Sequence, residues 1–162
     1  MQSKKNVITY LVIVGAIAVM IAGVLFFRQK EKPTVNTNDT EKFSRAVEHF
    51  NVLEEIALDA MRLTDTTTKE NFLLNLKKTA LMDWAECVNV LDIAEKLDLP
   101  PQVENYRIHL IEYSNHRLQQ TLLLIKASEE ETEKYRGSID SVQKKINAVR
   151  EIIKKEKPSF NY

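Results

Sequence analysis

The sequence predicts an all-α chain: a single N-terminal transmembrane helix followed by an antiparallel helical bundle of three helices, the last one long or kinked into a fourth. Three observations lead there. Residues 7–27 form an apolar run with no charged side chain. Beyond residue 38, apolar residues recur at spacings of three and four, the period of a helix face, and no stretch alternates as a strand would. From Ile111 to Ile153 a mostly aliphatic position returns every seventh residue.

The run VITYLVIVGAIAVMIAGVLFF has 21 residues, which at helical rise cover about 32 Å, the thickness of a bilayer core. A cleavable signal has a shorter apolar region followed by a small-residue cut site. The one such site, at Ala16 and Ala18, would leave VMIAGVLFF on the mature chain. The run therefore reads as an uncleaved anchor, preceded by a short basic tail over residues 1–6. The bilayer is the first expected partner, and the chain is expected to be a single-pass membrane protein. Lys4 and Lys5 with the terminal amine face Arg28, Lys30 and Lys32, so the flanking charges are balanced. The short basic tail favours the extracytoplasmic side for the domain that follows. Within the run, Gly15, Ala18 and Ala22 share a face, a small-residue pattern that lets two spans approach closely.

Residues 28–38 carry Pro33 and a cluster of Thr and Asn without apolar periodicity, which marks a linker. The bundle domain is expected over residues 39–157, with 158–162 as a tail. Asn38 and Glu41 have the spacing of a capping box, and Phe43, Val47, Phe50, Leu53, Ala57 and Ala60 form one stripe, giving a first helix over 39–64. TDTTT ends it, because threonines compete for the backbone. Thr67 and Glu70 repeat the capping-box spacing before a second helix over 68–97. Its apolar residues cover more than one stripe, so it belongs in the middle of the domain. Pro100 and Pro101 stop it, and Pro101 suits the first turn of the next helix.

The third segment carries the heptad. Ile111, Leu118, Ile125, Thr132, Ile139, Ile146 and Ile153 occupy one position, and Ser114, Thr121, Ser128, Tyr135, Val142 and Val149 the other. The phase runs unbroken across Gly137, which favours one helix from Pro101 to Glu156, with a competing start signal at Ser128 and Glu131. Ile139, Val142, Ile146, Val149 and Ile153 form a narrow seam that needs a partner, either a second copy or the chain's own body.

The formal net charge is zero, yet the charges are segregated. From Asp39 to Glu133 there are 19 acidic and 10 basic residues, and from Lys134 to Lys157 eight basic and three acidic. No aromatic interleaves with the basic residues after Lys144, which argues against nucleic acid as a partner. Cys87 is the only cysteine and sits among apolar neighbours, so it reads as a buried small hydrophobe. His109, Glu112 and His116 share a helix face at metal-ligand spacing, but the paired Glu-x-x-His pattern of carboxylate-bridged metal bundles is missing and the three point away from the seam. They read as surface residues, with no metal and no cofactor expected. Asp83, beside Trp84, reads as a boundary residue. No glycine-rich phosphate loop or nucleophile elbow occurs. The expectation is a membrane-anchored helical scaffold or protein-interaction domain and not an enzyme, its partner a protein or a second copy. The alternative is a sensor-like bundle that binds a ligand or peptide near Trp84, Tyr106 and Tyr113.

Overall fold

The computed structural model describes residues 37–64 and 66–159. The expected anchor over 7–27, with Gly15, Ala18 and Ala22, lies outside them. No described helix is long and apolar enough to cross a membrane. The described chain is all-helical: α1 (Thr37–Ala60), α2 (Lys69–Asn75), a π-helical segment (Leu76–Ala80), α3 (Leu81–Ile93), α4 (Pro101–Glu130) and α5 (Arg136–Glu156). Backbone angles stay right-handed helical from Asn75 through Leu81, so α2, the π segment and α3 are one rod and the bundle has four helices.

Side-chain bonds set the directions. Going down α1, Met61 meets Trp84, Phe50 meets Cys87 and Asp39 meets the Asp98 amide, so α1 and α3 are antiparallel. The Leu91 carbonyl accepts from Arg107 near one end of the α3–α4 pair, and Lys77 meets Glu129 near the other. Gln120 bonds Gln143 and His109 lies by Glu156, which makes α4 and α5 antiparallel too. The helices run up, down, up, down, each packing on the next.

Local chemistry explains the boundaries. α1 begins two residues earlier than the sequence suggests, so Asn38 lies inside the helix. Its neighbour Asp39 ties the first turn to Lys42 at 2.9 Å and to the Asp98 amide at 3.2 Å. α1 ends at Ala60 because Thr64 and Thr67 bond each other and the Thr64 amide donates to Thr67 Oγ1 at 3.1 Å. The N-cap of α2 is then Thr68, which accepts from the Asn71 amide, one residue later than the expected Thr67. Pro101 does occupy the first turn of α4, with the Pro100 carbonyl accepting from Val103 and Glu104 at 2.9 Å.

The π segment follows from spacing. Phe72, Leu76, Ala80 and Trp84 are four residues apart three times running, and each such step in an α-helix drifts by about 40°. One wide turn absorbs the drift, so Phe72 and Leu76 stay on the buried face with Trp84, Cys87 and Leu91.

Of the two forms expected for the last segment, one long helix or a fourth helix, the chain takes the second, and the break is at residue 131. The helix predicted from Pro101 to Glu156 ends at Glu130, and the chain folds back. Glu131 adopts the left-handed conformation, φ 50° and ψ 47°, and its amide and that of Thr132 both reach the Ala127 carbonyl. Thr132 Oγ1 then caps a short 3₁₀ turn (Glu133–Tyr135) by accepting from the Lys134 amide. The break lies six residues before the glycine. Gly137 sits inside α5, not at a turn, and a Cβ there would meet nothing within 4 Å. Glu129, Glu130 and Glu131 crowd the negative end of α4, against its dipole. They are answered by Lys77, Lys134 and Lys69 respectively.

Candidate functional site

The C-terminal seam turns inward. Val142, Ile146 and Val149 are buried in the common core and Ile139 and Ile153 are half-buried, so the seam lies along α4 of its own chain and does not project beyond the bundle. Facing it, Ile125 is buried and Ile111 and Leu118 pack on the same core. Ser114 and Thr121, at the polar heptad positions, are fully buried and donate to the carbonyls four residues back, at 2.8 and 2.9 Å.

Two concave surfaces stand out among the described residues. The first is a groove of about 240 Å³ floored by α4 and walled by α1 and α5. Phe50, Leu110 and Ile153 give it apolar surface, Tyr106 and Tyr113 line it, and Arg150, Lys154 and Lys157 form its basic wall. Tyr113 is held from three helices. Its hydroxyl donates to Glu54 at 2.6 Å and accepts from Arg117 Nε at 3.2 Å, and its ring meets Trp84 edge to face at 5.7 Å. Arg117 lies over the rings of both Trp84 and Tyr113. From Arg117 a ladder continues through Gln120 and Gln143 to Asn147, bonded at 3.0, 2.8 and 2.9 Å. Burial first, and then the Glu54 carboxylate, push the Tyr113 hydroxyl up to about 12, and the same two causes raise Tyr106. Of the three aromatics expected around a ligand, Tyr106 and Tyr113 line the groove. Trp84 is fully buried beneath them and is structural.

The second surface is an open cleft of about 540 Å³ between the upper half of α1 and the π segment, lined by Glu55, Ile56, Asp59, Ala60, Arg62, Asn75 and Thr79. Ile56 is 46% exposed there. Val52, one turn below it on α1, and Met82, one turn past Thr79, are exposed as well. Asp59 pairs with Arg62 at 3.3 Å, and Asp83 is half-buried, its carboxyl raised by that burial.

The remaining sequence candidates are structural. Cys87 is fully buried, and burial together with Glu54, Asp83 and Glu86 pushes its thiol up to about 12, far from a reactive thiolate. His109 and His116 are half-buried and not on an open surface. The fold-back of α5 brings Glu156 to 3.4 Å from His109 Nε2, a contact between residues far apart in the sequence. His109 Nδ1 stands 3.5 Å from Glu112, His116 Nε2 3.7 Å, and no group among the described residues could hold a metal ion. Arg107, unmarked in the sequence, is buried. It donates to both Glu104 oxygens at 2.9 and 2.7 Å and to the Leu91 carbonyl at 3.1 Å, locking the α3–α4 turn.

No family model, no curated protein and no solved structure matches this chain.

Proposed function

We propose that the chain is a membrane-tethered helical interaction domain, anchored by residues 7–27 and engaging a protein partner through the outer face of α1 and α3. One observation carries the reading. Of the nine large apolar side chains exposed among the described residues, Val52, Ile56 and Met82 stand beside one open cleft, and exposed apolar residues gathered at one place and rimmed by charge are the usual mark of a protein contact. A photoreactive residue placed at Ile56 in the full chain, irradiated in native membranes, is expected to form covalent adducts that the same residue at Lys126 does not. Equal yields from the two positions would remove the reading. The tether is tested separately by the intact mass of membrane-extracted protein, and a soluble form beginning near Val19 would rule it out.

A second reading has its own support. The α1–α4–α5 groove combines apolar floor, two tyrosines and three cations, which suits a small anion with an apolar body. Native mass spectrometry of the purified protein should then show a bound small molecule that Arg150→Glu releases.

A further inference from the structure

We propose that the partner of the cleft between α1 and the π segment is a second copy of this chain, seated through the outward face of α5, so that copies line up side by side. This rests on the interaction reading but not on the tether.

Charge supports it first. α1 carries Asp39, Glu41, Glu48, Glu54, Glu55 and Asp59 against Lys42 and Arg45, and α3 carries Asp83, Glu86 and Asp92 with no basic residue. The cleft between α1 and the π segment also has Arg62, paired with Asp59, and the segment adds Lys77, paired with Glu129, and Lys78, so the balance stays acidic. α5 carries Arg136, Lys144, Lys145, Arg150, Lys154 and Lys155 against three acids. α1 and α5 wall one groove, but the acidic cleft has no residue of α5 and Lys144 and Lys145 do not line the groove, so the two patches do not meet within one molecule. The ion pairs of α5 run instead to Glu133, Glu151 and His109. Complementary patches that do not meet in one molecule can meet between two.

The outward face of α5 also has apolar surface to offer. Lys144, Ala148, Ile152 and Lys155 recur at four, four and three, with Ile152 exposed between the lysines. It answers Val52 and Ile56 beside Glu55 and Asp59.

Height completes the match. The groove places Glu54 of α1 and Arg150 of α5 at one level, and α1 and α5 run in opposite directions. Moving away from the Thr37 end, Glu55 to Asp59 lie about 2 to 8 Å above that level and Lys144 and Lys145 about 8 Å above it. Upright copies therefore bring lysines to the acidic cleft without sliding or inverting. Such a contact keeps every Thr37 end on the same side, as tethered chains require. It joins two different patches, so it is heterologous and adds copies in a row, which ends only where the rotation per copy closes a ring.

The test uses the full chain in detergent, followed by sedimentation at low and high salt. The parent should associate with increasing concentration and dissociate in salt. K144E/K145E and E55K/D59K, each checked for unchanged helicity, should each weaken association by about tenfold or more. A one-to-one mixture of the two should recover it, since each variant then presents the charge the other lacks. A parent that is monomeric at every concentration overturns the proposal, as does a single reversal without effect or a mixture that does not recover. An oligomer indifferent to both salt and reversal is held by other surfaces and overturns it equally. Adducts from Ile56 to a different protein would leave the interaction reading standing and remove the second copy as its partner.

Discussion

Tyr113 is the residue on which three helices converge, and its chemistry gives the bundle an alkaline limit. Its hydroxyl is raised to about 12 from an ordinary value of 10, and the Cys87 thiol to about 12 from 9. Both groups bind their protons more tightly folded than unfolded. The stability they contribute is complete below about pH 9 and is lost as pH rises towards 12, because only the unfolded chain can ionise them easily. Urea titrations should show a steep fall between pH 9 and 12, shallower in Tyr113→Phe. An identical slope in that variant would refute the assignment. At residue 131 the chain uses an unsuitable amino acid. Glu131 holds a left-handed conformation that glycine adopts freely, while Gly137 occupies the first turn of α5, where there is room for a methyl group. The Glu131–Lys69 pair is exposed and is worth little. Glu131→Gly and Gly137→Ala should therefore each stabilise the protein by up to about 1 kcal/mol and act additively, read as rising midpoints in thermal melts.

At the scale of elements, the long rod from Lys69 to Ile93 tests whether spacing alone dictates the π turn. Deleting exposed Lys78 changes the buried steps to four, three and four, which an ordinary α-helix keeps on one face. The deletion should melt within a few degrees of the parent. Deleting Asn89 in α3 instead swings Leu91 away by about 100° and should abolish folding. The seam makes a parallel case. Ile146 is fully buried against α4, so Ile146→Ala should cost about 2 to 5 kcal/mol and Ile146→Asp more, through an unpaired buried charge. An unchanged melting temperature would show that the heptad is incidental to the core. These elements also show what the sequence could reveal. Stripes at three and four marked every helix, and Pro101 marked a start. The reversal at Glu131 was partly legible: Ser128 and Glu131 offered a start signal there, but α4 and α5 face each other and so carry the same aliphatic repeat in phase across the loop, which favoured one long helix. The groove was half legible: Tyr106 and Tyr113 stood out by type, but Glu54, Arg117 and Arg150 reach them from distant positions that no local spacing records. The cleft left no signal beyond isolated apolar residues on an acidic helix.

For the whole molecule, the decisive fact is that one apolar cluster serves all four helices. Phe43 and Phe50 of α1, Trp84 and Leu91 of α3, Leu110 of α4 and Ile146 of α5 belong to it together. No helix can leave without uncovering the others, so cooperative unfolding is required of the bundle as a unit. Residues from Val35 onward form a compact unit by themselves, and a chain beginning at Asn36 keeps the entire cluster. It should unfold in a single transition, with a midpoint within a few degrees of the full chain in detergent. Trp84 is the only tryptophan and is fully buried, so its emission reports the core while far-ultraviolet ellipticity reports the helices. The two signals should coincide. A chain ending at Glu131 loses Val142, Ile146 and Val149, exposing Leu118 and Ile125, and should show no cooperative melt. Should the shortened chain keep a sharp transition, or the Trp84 signal move before the helix signal, α5 would be an appendage to a three-helix core and not its fourth wall.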